Sequence, residues 1–575
     1  MKRSKVRFIS VFALLALLMG AIGLVSAQDN TTLNILYWQA PSTVNPFLSG
    51  GTKDLHAASF VLEPLARYDE NGNMVPWLVD TIPTVDNGGV SKDLTTITWK
   101  LKSGLVWSDG SPVTADDAVF SWQYCTDPAT GCSQTTNFND VKNVEAVDAQ
   151  TIKVTFGVAK PFPYGPFVGE ESPLIQKAQF KDCVGAKAQQ CTTQNFAPIG
   201  TGPYMVQDFR ANDTITYVAN PHYRTAGKPF FTTVVLKGGG DAESAARAVL
   251  QTGEADYAWN LQVTPQVLSQ IAAGGGGTVL SAFGTSVERI ILNQTNPDPS
   301  LGDKRSVWAA DGSNAHPFLT NPAVYKALSM AIDRQVIVDQ VYGPAAGKPT
   351  CNVLPAPAIY ASTNNDACLP QDIAGANKLL DDAGIKDTNG DGIRELNGVP
   401  LHILYQTSTN AVRQATQALV KQWWSQIGVD TELRNVDAGV FFGGDPASPD
   451  TYGKFYADVE MLTNNFGGTD PEAYMAQFGC DQIASPANNF LANNIGRWCN
   501  KDYDALITKF SQTAKLADRG AIAIQENDLV VQSGAVIPLV WRANVSAQSN
   551  RVEGIKMNAW DSEEWNIADW TLASS

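Results

Sequence analysis

The chain has 575 residues, a formal charge of −16 and 44% apolar residues. That length implies several domains or subdomains on a soft prior of about 150 residues each, and the apolar fraction is that of a soluble globule. The acidity is spread along the chain, which argues against a nucleic-acid partner, because phosphates demand a basic face.

The first thirty residues, MKRSKVRFISVFALLALLMGAIGLVSAQDN, carry Lys2, Arg3, Lys5 and Arg7 and then an apolar run from Phe8 to Val25. Val25-Ser26-Ala27 has the small residues of a cleavage site, so residues 1–27 read as a secretory signal peptide. A retained anchor is the alternative, since the run is near spanning length. TLNILYW (32–38) is an apolar strand. Residues 95–125 read strand, turn, strand, turn, helix. Ile97, Trp99 and Leu101 alternate, and Asp109-Gly110 turns. Thr114 caps a helix with Asp116 and Asp117 in its first turn. Residues 214–238 read as two strands around a Pro/Gly-rich connection, and 243–260 as a helix stopped at Gly253 before a short strand.

In the second half, VERIILNQ (287–294) is an apolar strand, 322–342 one amphipathic helix, and 373–384 another that ends at Gly384. Strand 401–407, a helix over 411–428 and the strand VDTELRNVD follow. This mixed order predicts an α/β fold with an open sheet. Between 373–384 and 401–407 lies DTNGDGIRELNG (387–398). Asp387, Asn389, Asp391 and Gly392 match the start of an EF-hand loop, but Gly398 stands at position 12, where a bidentate acid is required. The stretch reads as a polar turn satisfied by its own Asx side chains, with Asp387, Asn389 and Asp391 the lesser alternative as metal ligands.

All eight cysteines follow the export segment and fall into four close pairs. An even count in an exported chain predicts disulfides, and sequence alone leaves their connectivity open. Each pair sits in its own polar, turn-rich insertion, so Cys125–Cys132, Cys183–Cys191, Cys351–Cys368 and Cys480–Cys499 are expected. Zinc is not, since there is no C-x-x-C and the four histidines are scattered.

Enzyme motifs fail. GPAAGKPT (343–350) is one residue short of a phosphate loop and has Pro349 in place of Ser or Thr; GTGPYM (200–205) lacks the third glycine of a dinucleotide fingerprint. There is no G-x-S-x-G and no H-E-x-x-H. No cofactor and no reaction are expected, and a secreted hydrolase is the remote alternative.

Several ordered segments resemble the extracellular solute-binding proteins of the peptide/nickel ABC-transporter family, the oligopeptide- and dipeptide-binding type. They are VLEPLARYDENGNMVPWLVDTI (61–82), LTTITWKLKSGLVWSDGSPVTADDAVFSW (94–122), PIGTGPYMVQDF (198–209), NPHYR (220–224), ALSMAIDR (327–334), GVDTELRNVD (428–437) and CNKDYDALI (499–507). The resemblance implies a two-lobe periplasmic-binding-protein fold, class II-like with an extra subdomain, closing on a hinge. Carried onto this chain, the core of lobe I is 30–63, 196–288 and 543–575. The extra subdomain is 64–195 and lobe II is 289–542, with crossings near VERIILNQT and VIPLVWRAN (536–544). It further implies a monomeric periplasmic or cell-surface receptor that delivers a peptide, or an oligosaccharide or other neutral solute, to permease subunits in the membrane.

Site residues follow from the same resemblance. Ser49, Gly50, Gly51 and Thr52 occupy the loop after the first strand, where glycine permits close backbone approach. Trp259 could stack on a ligand beside Asn260, which both donates and accepts. In LTNNFGGTDPEAY (462–474), peptide binders carry an acid for the ligand's ammonium group. Alignment on Asp470-Pro471 puts Gly467 there, among Asn464, Asn465 and Phe466. Arg413, at the start of a helix, lies near the position that meets a peptide carboxylate; the alternative, which the residues favour, is a solvated helix residue.

Overall fold

The computed structural model describes residues 31–445 and 447–574. The expected signal peptide, residues 1–27, lies outside the described residues. Among the described residues, eleven strands form one sheet. In chain order they are β1 (Thr32–Tyr37), β2 (Tyr204–Arg210), β3 (Thr214–Ala219), β4 (Thr233–Gly238), β5 (Tyr257–Trp259) and β6 (Gly277–Leu292). Then follow β7 (Gly347–Pro349), β8 (His402–Ser408), β9 (Asp430–Val436), β10 (Val459–Asn464) and β11 (Val536–Ser549). Their spatial order is β9-β8-β10-β6-β11-β5-β1-β4-β3-β2, with β7 on β11.

The long strands β6 and β11 join the two halves. They pair antiparallel from Gly277 opposite Ser549 to Ile291 opposite Val536. At one end β11 pairs with β5; at the other β6 pairs with β10. The register breaks between Phe283 and Val287 and again between Glu288 and Arg289. Such bulges bend a strand and re-aim its side chains, and these lie where the halves meet. On either side the strands run parallel, β1 with β4 and β5, β8 with β9 and β10. Parallel pairing needs a crossover, which the helix Ala411–Ser425 supplies between β8 and β9.

Apolar periodicity accounts for the cores. One contains Leu33, Ile35, Tyr37, Val234 and Trp259. A second gathers Leu328, Ile403, Tyr405, Trp424 and Leu539. A third lies wholly within residues 47–191 apart from Ile199 and Trp560 at its edge, over a three-stranded sheet of Thr96–Lys100, Val141–Ala146 and Thr151–Phe156. Thr114 caps the helix Ala115–Thr126, as the sequence predicts, and does so in a capping box with Asp117.

Two expectations change. The second strand of 95–125 is reduced to one bridge, Val106 to Pro112, because Gly104 and Gly110 turn the chain back with positive φ. The helix expected over 322–342 breaks after Met330 and restarts at Arg334. Asp333 caps the new start through the Val336 N–H, and Arg334 turns inward to bond Pro538 O, Ser329 O and Cys368 O. The cysteines pair as neighbours, in the four bridges expected. Among the described residues no helix is long and apolar enough to cross a membrane.

Candidate functional site

A cavity lies where the halves meet. Gly50, Gly51, Thr52, Trp259 and Asn260 line one wall, and Asn464, Asn465, Phe466, Tyr474 and Gln477 the other. Arg289 of β6 and Arg542 of β11 contribute from the strands that join them. A Cβ at Gly50 would sit 2.9 Å from Tyr452 Oη, so a side chain there would displace the end of that tyrosine. Polar contacts bridge the walls. Thr52 Oγ1 donates to Asn465 Oδ1 at 3.4 Å, Asn410 Nδ2 to Gln262 Oε1 at 2.5 Å, and Asn493 Nδ2 to the Ser133 carbonyl at 2.8 Å.

Trp259 ends β5 and is both wall and core. It is 2% exposed, stacks on Tyr37 at 4.6 Å and meets the His56 ring edge-on at 5.7 Å. Asn260 then takes φ 55°, a left-handed conformation that Asn tolerates. Its Oδ1 accepts from Arg542 Nη2.

The strongest electrostatic feature is built around Glu288, fully buried on β6. It accepts from Arg413 Nε at 2.8 Å and from Thr463 Oγ1 at 2.5 Å, with Arg542 at 3.9 Å. Burial pushes its carboxyl up, but Arg413 and Arg542 overcome that and hold it below the ordinary glutamate value. Arg413 therefore lines the cavity with its charge already neutralised. It is thus buried and ion-paired, not the solvated helix residue of the alternative reading.

The remaining expected residues divide. Asn464 and Asn465 line the central cavity, Gly467 and Asp470 line an adjoining one with Tyr68, Phe162 and Tyr164, and Phe466 lines both. Both Asp470 oxygens accept from Arg519 at 2.7 Å, a buried structural pair rather than an open anchor. Ser49 is turned away from the central cavity, donating to Asp54 Oδ2 at 2.7 Å. Glu171, Phe466 and Tyr474 stand between the two cavities. Burial and the adjacent Glu170 push the Glu171 carboxyl up to about 7. Burial and Glu564 do the same to Glu563, which lines the cavity and bonds Tyr257 and Ser546.

The loop at 387–398 is separate from both cavities. Asp387 accepts from the Gly390 and Gly392 N–H groups at 2.6 and 2.8 Å, and Asp391 from Ile393 at 2.8 Å. These are the Asx bonds of a polar turn. Glu395 brings a third carboxylate, with ligand atoms of Asp387, Asp391 and Glu395 within 4.8 Å of one another.

Sequence reasoning missed Arg289, Arg542, Gln477 and Glu171. A legible signal existed for the first: Glu288 and Arg289 are adjacent charges inside an apolar strand.

A buried polar cavity between two halves, joined by a pair of long strands in one sheet, is the architecture of a solute-binding protein. Residues 73–485 match the bacterial extracellular solute-binding proteins, family 5 Middle, and the chain belongs to that family. Its function is extracytoplasmic solute capture for an ABC importer. Protein XP55 of Streptomyces lividans is 27% identical over 380 residues, 65% of this chain; the chain thus spans 61% of that relative's length. The glutathione-binding protein GsiB of Escherichia coli strain K12 is 23% identical over 518 residues, 89% of each chain. The oligopeptide-binding protein AppA of Bacillus subtilis, solved with a nonapeptide, superposes with a TM-score of 0.78 at 20% identity, over 94% of this chain and 99% of AppA.

Proposed function

We propose that the protein binds a short peptide in the central cavity and hands it to permease subunits in the membrane. The observation that carries this is the wall chemistry. Asn260, Gln262, Asn464, Asn465 and Gln477 surround a cavity that both halves close, and amide side chains satisfy the alternating donors and acceptors of a peptide backbone. The relatives named above as binding glutathione and a nonapeptide support the same class. Gly467 favours the second reading, an oligosaccharide or other neutral solute, since the expected acid for an ammonium group is missing there.

The lobes divide as 30–63, 196–288 and 543–575 against 289–542, with 64–195 as the extra subdomain, and β6 and β11 carry the hinge. The receptor is a monomer, exported with cleavage after Ala27 and held at the periplasmic or outer face of the membrane by its permease. It carries out no reaction and needs no cofactor.

Native mass spectrometry of the protein purified from its source tests the ligand class. A mixed set of short-peptide masses is expected. A single hexose-oligomer mass would replace the peptide reading with the saccharide one, and cleavage of added peptides would put the protein among the hydrolases.

A further inference from the structure

Three buried side-chain atoms of the cavity-lining residues have no hydrogen-bond partner: Arg289 Nε, Trp259 Nε1 and Gln477 Nε2. All three are donors. No lining residue has an unpartnered buried acceptor among the described residues. A buried polar group without a partner is costly, and a solute bearing oxygens at those points would remove the cost.

Arg289 is the decisive one. It is 1% exposed and has no carboxylate within ion-pair distance among the described residues. Its one hydrogen bond goes from Nη1 to the Tyr474 hydroxyl at 2.8 Å. Its guanidinium also lies 5.3 Å from the Phe478 ring centroid and 5.8 Å from that of Tyr474. Such contacts offset only part of the cost of burying a cation.

The Nε atoms of Arg497 and Arg519 are likewise unpartnered, but the rest of each guanidinium is provided for: Arg497 bonds the carbonyls of Ile495, Gly453 and Lys454. Arg413 has Glu288, Arg67 has Asp561 and Arg519 has Asp470. Arg334 has no acid, but its fork meets the carbonyls of Pro538, Ser329 and Cys368 and the Ser329 hydroxyl. Arg289 differs from all of these and faces the cavity.

Gln477 completes the arrangement. The Asn465 N–H donates to Asn464 Oδ1, so Asn464 Nδ2 must donate onward, and it does so to Gln477 Oε1 at 2.9 Å. That chain of bonds fixes which end of the Gln477 amide is used and leaves Nε2 over. Gln477 lies three residues beyond Tyr474, which Arg289 bonds, and all three line the same cavity.

Resting on the receptor reading above, we infer that Arg289 and Gln477 form an anion subsite that takes a carboxylate of the solute, with Trp259 Nε1 donating to a further oxygen from the facing wall. The cargo is then an acid, such as a peptide with a free C-terminus, and a neutral saccharide is excluded.

The test uses the mature chain, stripped of solute by unfolding in guanidinium and refolding. The probes are a panel of di- and tripeptides, each as free acid and as C-terminal carboxamide, with maltotriose as the neutral control, and the readout is titration calorimetry. The acid should bind about tenfold or more tighter than its amide, the range of a hydrogen bond to a charged group. Arg289→Gln should erase that preference, Arg289→Lys should keep part of it, and Gln477→Met should reduce it. The ligand-free melting temperature of Arg289→Gln should not fall, since no carboxylate loses its partner. Equal responses to acid and amide, including no response to either, overturn the inference, as does an intact preference in Arg289→Gln. Maltotriose binding that Arg289→Gln leaves unchanged overturns it while the receptor reading stands. Failure of every probe together with no retained solute in the purified protein defeats both.

Discussion

Glu288→Gln is the substitution whose effect the structure defines best. The wild-type carboxylate lies between Arg413, 2% exposed, and Arg542, 6% exposed. Removing its charge leaves two buried guanidinium groups with no other carboxylate in ion-pair range among the described residues. Breaking one side of a buried pair costs about 3–5 kcal/mol. Glutamine keeps one acceptor for Arg413 Nε, which places the expected loss near the lower end, about 3 kcal/mol. The pH dependence has a definite sign. Glu288 is held below its ordinary value in the fold, so its contribution is complete above the unfolded-state value of about 4.3 and is lost as pH falls through the lower folded-state value. The deficit of Glu288→Gln should therefore be full at pH 7 and shrink under acid. Urea unfolding of the solute-free protein, followed by tryptophan fluorescence and circular dichroism, measures it as a midpoint shift at unchanged slope. Adding Arg413→Met should recover more than half of the loss, because an apolar replacement removes the stranded charge. A loss below about 1 kcal/mol, or a double variant worse than the single one, would refute the reasoning.

Other outcomes follow from buried groups and covalent links. Both Glu526 oxygens are buried without partners, and burial and Glu472 push this carboxyl well above its ordinary value. The unfolded chain releases that proton above about pH 4.3 while the native state keeps it, so stability falls as pH rises through this window, by up to about 1.4 kcal/mol per unit. Glu526→Gln should flatten the dependence, its gain at pH 8 exceeding that at pH 5 in paired urea titrations; a gain independent of pH would mean that the native carboxyl is ionised. Replacing Cys480 and Cys499 together by Ala opens a loop with a sequence separation of 19. That should destabilise the chain by about 3 kcal/mol, read as a lower melting temperature under non-reducing conditions.

Most of the fold was legible because its elements are locally determined. Ile97 and Trp99 alternate and are buried as a pair, Thr114 caps its helix, and Gly253 and Gly384 stop helices with φ of 69° and 76°. The break at Asp333 was not legible, because Arg334 is drawn inward by carbonyls as far away in sequence as Pro538. The site divides along the same line. Gly50, Thr52, Trp259, Asn260 and the 464–466 segment, expected from the resemblance, line the cavity. The buried pairing of Arg413 was not legible, since its partner Glu288 lies 125 residues away. Arg289 and Gln477 were missed because a missing partner is a property of packing, which no local pattern records.

Hydrogen-exchange mass spectrometry, comparing the protein holding its retained solute with the stripped protein, tests the central claim most directly. Solute capture between the halves predicts slowed exchange together in 50–53, 258–262 and 462–466, segments from both walls of one cavity. Protection confined to one wall, or lying outside the cavity, would contradict it.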